Sequence, residues 1–415
     1  MVGLGFLSQG AAYGMTYGMA GTFIGPASAQ FHASRTAVSL APAMVALLHG
    51  LLGPLVGFWL TRRRVGGVLC LGALVMASAF ALMHFATSIW MFSLGFGVLG
   101  GVAVACLGVT AVTTLVGRWF PTRSGRAMGL ANMPILVTLL PPAAGYLNVA
   151  YGWRTTALVA AAVMLALAPI LRLAHDPPTL PDGAPLGNAH GIASTSGQGV
   201  RPSRSTFRPD AAFWLLALAV GIFDGSGITI ITHVIPLATE SGIDYEKATL
   251  LVSVMGVCGM AGAPILGYIA DRMGGAATLA VVALALIVGW APFLFSPSFA
   301  MMAAAMSLLG FCGGAFAALL GTSFAPRYRG ERLGPAIGLA VLLALPFNFL
   351  LPLVAAAAHD ATGSYRLAMV GQLALLAAAF LMLGSVARAD RKAGRAAAQA
   401  RSVATEKSIK TSYIQ

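Results

Sequence analysis

The most regular feature of the chain is a series of long apolar stretches separated by short polar segments. Each stretch is long enough to cross about 30 Å of hydrocarbon as a helix that rises about 1.5 Å per residue. Continuous apolar runs favour helices over a membrane barrel, whose strands read as short alternating segments. The pattern therefore predicts an all-α membrane protein with twelve spans, at residues 3–26, 36–60, 67–86, 88–116, 127–148, 155–173, 211–238, 248–270, 276–295, 298–323, 334–358 and 367–387.

The composition agrees with this prediction. Hydrophobic residues make up 58% of the 415 residues and charged residues only 9%, and the mean hydropathy is +0.85. Such a chain has too few polar side chains to cover a soluble globule of this size. Arg35 is the first basic residue, and it follows the first span, so we expect that span to stay in the membrane and not to be removed as a signal peptide.

The basic residues are distributed unevenly between the two sides of the predicted bundle. The net charge is +13, and 21 of the 25 Lys and Arg residues lie in the C-terminal tail or in connections on one side. The other side carries only Arg35, Arg154, Lys247 and Arg366. This asymmetry predicts a multi-pass protein of the cell (inner) membrane with both termini in the cytoplasm, and it argues against a nucleic-acid partner. The basic tail is expected to lie against anionic lipid.

Residues 174–210 interrupt the apolar pattern with proline, glycine, serine and charged residues, which predicts a cytoplasmic linker. The linker divides the chain into an N-terminal six-helix bundle (1–173), a C-terminal six-helix bundle (211–387) and a basic cytoplasmic tail (388–415). Offsets of 209 to 211 residues that nearly agree predict two pseudo-symmetric copies inserted in the same orientation. The offsets are those between matching glycines, at Gly57 and Gly267, Gly125 and Gly334, and Gly152 and Gly363.

The turn after the eighth span reads Gly267-Tyr-Ile-Ala-Asp271-Arg272-Met-Gly274. Together with twelve spans, a central linker and the internal repeat, it resembles the G-x-x-x-D-R-x-G loop of the major facilitator superfamily. The resemblance covers about residues 3–387. It implies the major facilitator fold, and it implies that Asp271 helps to hold the cytoplasmic side closed.

The first copy of this turn, which begins at Gly57, departs from the motif. Thr61 replaces the acidic residue and Arg64 replaces the last glycine, which puts the closing role in doubt for the first half. We expect Arg-rich turns to control access from the cytoplasm, at Arg62, Arg126 and Asp271-Arg272.

Three further phrases, "RWFPTRSGRAMGLA" from Arg118, "YGWR" from Tyr151 and "DATGSYR" from Asp360, resemble bacterial members related to monocarboxylate and oxalate/formate carriers. Related carriers of carboxylates typically hold the anion with an Arg or Lys in the helices of the second half. The eighth and eleventh spans of this chain contain neither. An anion would therefore need Arg154 or Arg366 to reach in from the outer ends, or Asn and Tyr groups to suffice.

Asp224 is the only charged residue between Asp210 and Glu240, and it lies near the middle of the seventh span. A charge at the bilayer centre costs at least about 2.5 to 3.5 kcal/mol on insertion scales, so the side chain must face a wet cavity, pair with another group or be protonated. The functional interpretation is a proton-coupling group. The alternative is a protonated Asp that only hydrogen-bonds a neighbouring helix, which flanking glycines allow to come close.

The internal repeat places the counterpart of Asp224 at Gly14 in the first span. Gln9, Tyr13 and Tyr17 recur there every four residues and share one helix face, so they are expected to line the same central cavity. Hydrogen bonding between helices is the alternative for the two tyrosines. His49, deep in the second span, is either a buried packing residue or a second proton-coupling candidate. Prolines neighbour Asn132 and Asn348, which either bind substrate at kinked helices or link helices.

Several other signals are set aside. Gly95-Phe-Gly97-Val-Leu-Gly100 fits a dinucleotide motif but lies in an apolar span with no preceding strand, so we expect helix packing there. The four cysteines are spread over apolar spans and predict buried packing. No nucleophile constellation or metal-ligand cluster is evident, so neither an enzyme nor a cofactor is predicted.

These observations together predict a secondary transporter in which two bundles rock about a central site. The chain has no phosphate-binding G-x-x-x-x-G-K loop, so uphill transport would need an ion gradient. The expected partners are a small organic acid, protons and the lipid bilayer, and the protein is expected to be a monomer. One alternative is proton-driven efflux of an amphipathic or cationic compound. A remote alternative is a membrane sensor that binds a solute without moving it.

Overall fold

The computed structural model describes residues 1–119, 130–131, 133–176, 209–295, 298–324, 326–328 and 333–412. Regular secondary structure in these residues is entirely helical. Within the described part, nine helices are long and apolar enough to span a membrane, and two shorter apolar helices accompany them. The all-α membrane prediction is therefore confirmed, whereas the full count of twelve spans is not reproduced.

The first helix set consists of the elements between Met1 and Asp176. Its members are α1 (Val2–Tyr13), a π-helical turn (Gly14–Gly18), α2 (Met19–Phe31), α3 (Arg35–Arg62), α4 (Val65–His84), α5 (Ile89–Ser93), a second π-helical turn (Leu94–Leu99), α6 (Gly100–Leu107), α7 (Val109–Trp119), α8 (Ile135–Tyr151) and α9 (Trp153–Arg172).

The second helix set begins at Asp210. Its members are α10 (Ala211–Glu240), α11 (Tyr245–Met273), α12 (Gly275–Trp290), a 3₁₀ turn (Ala291–Phe295), α13 (Phe299–Gly314), α14 (Phe316–Phe324), α15 (Leu333–Thr362) and α16 (Arg366–Ser412). Helix α16 continues beyond the predicted end of the twelfth span, so residues expected to form a separate tail are helical as far as Ser412.

Side-chain caps fix where several helices start. Ser34, Ser88, Asp210 and Ser298 precede α3, α5, α10 and α13, and each side chain accepts a hydrogen bond from a backbone N–H in the first turn of its helix. Such caps stabilise a helix by about 1 kcal/mol because they satisfy an otherwise unpaired donor. The same residues lie between apolar stretches, so capping and hydropathy agree on the helix starts.

Each helix set buries its own hydrophobic core. One core draws on residues between Ala11 and Ala174, and the other on residues between Phe213 and Ala387. The two sets contact each other through α2 on α10, α3 on α15 and α8 on α11. The α2–α10 contact is close, since a Cβ atom added to Gly21 would lie 3.0 Å from the carbonyl oxygen of Thr232.

Candidate functional site

Asp224 lies midway along α10, on the side that faces α15. The two helices approach closely at this level, because a Cβ atom on Gly225 would lie 2.8 Å from the carbonyl oxygen of Phe347. Asn348 is the next residue on α15, and its Nδ2 donates a hydrogen bond of 2.7 Å to Oδ2 of Asp224. The predicted lone carboxyl group therefore has an amide partner that is 124 positions away in the chain.

Asn348 is held in an unusual stretch of α15. It lies between Pro346 and Pro352, both inside the helix. Proline has no N–H, so Pro352 cannot make the usual helical hydrogen bond to the carbonyl group of Asn348. The side chain of Asn348 is 8% exposed, and its Oδ1 has no hydrogen-bond partner among the described residues. The asparagine thus offers an unused acceptor beside Asp224.

The first helix set contributes two phenols and an imidazole. The rings of Tyr13 and Tyr17 stack at 5.6 Å, and the hydroxyl group of Tyr13 lies 3.3 Å from Nε2 of His49. Tyr17 belongs to the π-helical turn that starts at Gly14, the position predicted as the counterpart of Asp224. Turns of this kind are frequent at functional sites. Asp224 interacts electrostatically with both phenols, so the polar groups of the two helix sets lie near one another.

The other predicted path residues are less informative. Gln9 lies one turn before Tyr13 on α1, and its Oε1 has no partner in the part of the chain that the structure describes. Asn132 and Arg126 both lie outside the described residues. The glycines Gly95 and Gly97 pack against the backbone of neighbouring helices, as expected for a motif that is not a dinucleotide site.

The two copies of the turn motif differ in their backbone. Gly274 ends α11 with φ of 87°, a conformation that favours glycine. At the matching place in the first copy Arg64 has φ of −64°, so a non-glycine residue is accommodated without strain. Gly57 is buried in α3, whereas Gly267 in α11 is partly buried.

The arginines of this motif pack onto aromatic rings of their own helices. The guanidinium groups of Arg62 and Arg272 lie 4.5 Å and 4.6 Å from the ring centres of Phe58 and Tyr268. Asp271 is exposed at the same end of the bundle.

A polar cluster that the sequence did not predict joins the two helix sets. It lies at the end of the bundle remote from residue 176, which we call the far end; the opposite end is the linker end. The far-end cluster consists of Arg35, His233, Glu240, His359, Asp360 and Tyr365. The guanidinium group of Arg35 pairs with Glu240 and donates to the hydroxyl group of Tyr365 at 3.0 Å. Glu240 also lies 2.9 Å from Nε2 of His359.

Asp360 caps a helix of the other set. Its carboxylate accepts hydrogen bonds from the backbone N–H groups of Arg35 and Thr36 at 2.9 and 2.8 Å, and from the hydroxyl group of Thr36 at 2.5 Å. These N–H groups belong to the first turn of α3, where unpaired donors and the helix dipole favour an anion. A carboxylate from the second set thus stabilises the start of a helix in the first set.

The hydrogen bonds around His233 have a defined direction. Its Nε2 lies 3.0 Å from the carbonyl oxygen of Pro352, which can only accept, so this nitrogen carries a proton. Nδ1 of the neutral ring then accepts from the hydroxyl group of Tyr365 at 3.2 Å. Burial raises the pKa of Tyr365 to about 12, although nearby Arg35 opposes the increase, so the phenol remains a donor at neutral pH.

A second contact joins the sets at the far end. The hydroxyl group of Tyr245 on α11 donates to the carbonyl oxygen of Thr22 on α2 at 2.5 Å. Asn148 on α8 donates to both of these oxygens, at 2.9 and 3.1 Å. Arg154, one of the two arginines considered for reaching in from the outer ends, donates to the carbonyl oxygen of Ala86 within its own helix set. Arg366 is exposed.

Among the residues that the structure describes, the polar pairs at the linker end stay within one helix set. Arg118 contacts Asp176 at 2.5 Å and the carbonyl oxygen of Leu60 at 2.9 Å, all in the first set. In the second set Arg327 pairs with Asp390, and the hydroxyl group of Tyr328 donates to Asp210 at 2.5 Å. Partial burial opposes the change, but hydrogen bonds from Tyr328 and the backbone hold the pKa of Asp210 below its usual value.

Comparison with protein families and curated proteins gives consistent results. The family model described as Major Facilitator Superfamily matches residues 6–295 and 220–413. The uncharacterized MFS-type transporter YcxA of Bacillus subtilis is 30% identical over 155 residues, which cover 36% of this chain and 37% of that protein. Monocarboxylate transporter 11 of Mus musculus is 27% identical over 278 residues, which cover 65% and 60%. These matches span less than two thirds of each relative's length.

Solved structures are similar in fold. A bacterial homolog of the human lysosomal transporter Spinster, in an inward-facing and occupied conformation, gives a TM-score of 0.67 at 16% identity, covering 91% of this chain and 96% of that one. A POT family transporter in complex with 5-aminolevulinic acid gives a TM-score of 0.70 at 12% identity, covering 93% and 96%. At these identities the similarity concerns the fold alone.

Proposed function

Because the chain belongs to the Major Facilitator Superfamily, we propose that it is a secondary transporter that moves a small organic acid together with protons. The transporter class follows from the family. The cargo is proposed because monocarboxylate transporters recur among the relatives. We further propose that residues 1–173 and 211–387 act as two bundles that alternate access to a central site, with residues 174–210 and both termini in the cytoplasm.

The observation that carries the proton-coupling proposal is the Asp224–Asn348 pair. The carboxyl group of Asp224 accepts the hydrogen bond from Asn348 in either protonation state, but only the protonated form also has an O–H group that can donate, so proton loading changes which partners the pair can bind. Tyr13 and Tyr17 lie on the other helix set and interact electrostatically with Asp224, so proton loading at Asp224 changes an interaction between the sets. A change that acts on both sets is what coupling to alternating access requires.

A second candidate function is proton-driven efflux of an amphipathic cation. The groups around the site favour it chemically, since Asp224 and the free Oδ1 of Asn348 are acceptors, and the eighth and eleventh spans contain no Lys or Arg. A carboxylate cargo would need to bind here in its protonated form or be held by a cation elsewhere.

The experiment that separates these functions measures proton movement in inside-out vesicles. Short-chain carboxylates and amphipathic cations are added in turn to the intact protein and to the Asp224→Asn variant. We expect carboxylates to evoke a proton flux that the variant loses. Asp244→Asn is the matched control, because Asp244 is an exposed acid outside the membrane spans whose side chain pairs with Lys247 at 2.8 Å.

The other possible results of this experiment support different functions or residues. A flux evoked only by cations identifies an exporter. An unchanged flux in the Asp224→Asn variant makes Asp224 a structural residue, and His49→Gln is then the next variant. Binding of a solute without transport in reconstituted vesicles supports the sensor.

A further inference from the structure

A cavity of about 360 Å³ lies between the two helix sets at the far end. Its wall is formed from both sets and contains one charged residue, Arg35. The remaining lining residues are uncharged: Gly21, Gly25, Pro26, Asn148, Val149, Ile235, Pro236, Thr239 and Tyr245. A cavity of this size between the two sets is suited to a small molecule, and Arg35 is the group that gives it a charge preference.

The guanidinium group of Arg35 already holds a carboxylate. It pairs with Glu240 of the other helix set, and another nitrogen donates to Tyr365. Side-chain exposures of 22% for Arg35 and 33% for Glu240 mean that both groups remain reachable from water. A planar guanidinium group with several donors matches any carboxylate, so a cargo carboxylate and Glu240 have the same chemistry toward Arg35.

We propose that Arg35 is the carboxylate-binding residue of the far-end cavity, and that Glu240 occupies it while the far end is closed. This proposal rests on the proposed function, because it requires a carboxylate cargo. Exchange of Glu240 for the cargo keeps Arg35 paired, and the displaced Glu240, which is 33% exposed, keeps its contact with Nε2 of His359. The exchange also removes one contact between the helix sets, and cargo binding therefore favours opening of the far end.

Variants of Asp360 distinguish cargo binding by Arg35 from a role of the far-end contacts in closure alone. It joins the same two helix sets, but through the backbone of Arg35 and through Thr36, and not through the guanidinium group. Asp360→Asn should therefore open the far end and leave the binding cation intact. Arg35→Gln should remove both the contact with Glu240 and the cation that binds cargo. Glu240→Gln should remove only the carboxylate that competes with cargo for Arg35.

The first measurement is the concentration of labelled propionate that gives half-maximal transport when propionate is supplied to the far side of proteoliposomes. Arg35→Gln should raise it by at least about tenfold, because a charge-assisted hydrogen bond is lost. Glu240→Gln should lower it, a direction that misfolding cannot imitate. Asp360→Asn should not raise it, because the guanidinium group of Arg35 is intact and a far end that opens more easily favours cargo binding. Equal half-saturation in wild type and Arg35→Gln overturns the proposal.

The second measurement needs no transport. Val149 lines the cavity and is 59% exposed, so Val149→Cys, with the four native cysteines replaced by serine, introduces a thiol for a membrane-impermeant maleimide. Propionate should slow labelling of this thiol when Arg35 is present and should not when it is glutamine. If wild type transports no carboxylate but this protection persists, the proposed function fails and the binding site stands. Protection that is independent of Arg35 overturns the site.

Discussion

The two ends of the bundle differ in what their polar groups connect. At the far end, Arg35, Asp360 and Tyr245 join one helix set to the other. At the linker end, the described pairs of Arg118 and Arg327 remain within a single set. Among the described residues, these polar contacts between the sets therefore lie at the far end and not at the linker end. Under the proposed alternating access, these contacts must break before a solute can enter from that side.

The largest expected effect on this difference comes from Asp360→Ala. The substitution removes three hydrogen bonds that Arg35 and Thr36 donate, and it leaves two N–H groups in the first turn of α3 without this acceptor, although Ser34 still caps the helix. A loss of about 2 kcal/mol changes the ratio of open to closed far end by about thirtyfold. Maleimide labelling from the far side should rise accordingly for an Ile235→Cys protein, since Ile235 lines the far-end cavity and is only 1% exposed. Unchanged labelling would show that Asp360 does not hold this end closed.

Tyr245→Phe should have a smaller effect at the same end. It deletes the hydroxyl group that bridges Thr22 and Asn148, but Asn148 still donates directly to Thr22 at 3.1 Å. A net loss of about 1 kcal/mol corresponds to about a fivefold increase in far-side labelling. Tyr268→Phe is the control, since Tyr268 is exposed near the linker end. Similar labelling in the two variants would contradict the role of Tyr245.

Breaking a pair at the linker end should leave far-side access unchanged. Asp176→Asn weakens the contact with Arg118 inside the first set, where the two side chains are 32% and 34% exposed. Partly exposed pairs contribute about 0 to 1 kcal/mol, so thermal unfolding should change slightly and far-side labelling should not change. A labelling change as large as that of Tyr245→Phe would remove the distinction between the two ends.

The smallest expected effect is a pH dependence from Asp210 at the linker end. Its folded pKa lies below the unfolded value, so it stabilises the fold above the unfolded pKa and loses this contribution as pH falls through the folded pKa. The apparent melting temperature should therefore decrease more on acidification in wild type than in Asp210→Asn. Identical pH profiles would mean that the hydrogen bond from Tyr328 adds nothing to stability.

Some of the site was predictable because single residues broke the apolar pattern. Asp224 stood out as a charge in the middle of a span, and Gly14 was predicted as its counterpart from the repeat. The partner of Asp224 was not singled out, although Asn348 was among the predicted path residues. No spacing in the sequence pairs His233 with another polar group, yet it contacts Tyr365, 132 positions away. The contact depends on how α10 and the end of α15 pack.

The far-end cluster had only a weak signal in the sequence. Arg35 was one of four basic residues on its predicted side, and Glu240 and Asp360 were acids at span ends. Nothing local indicates that Arg35 and Asp360, separated by 325 positions, come together. The structure also explains why the first turn motif can depart from the pattern. Arg64 has a negative φ that any residue can adopt, whereas Gly274 has a positive φ that favours glycine.

The sequence by itself determined that the chain forms membrane-spanning helices, and it indicated the internal repeat and the midspan carboxyl group. These properties are local, since the free energy of placing a segment in hydrocarbon depends on the residues of that segment. Only the tertiary structure decided which polar groups meet, as with Asp224 and Asn348 or Arg35 and Glu240. Those contacts depend on the docking of two helix sets, in which small residues and side-chain directions far apart in the chain act together.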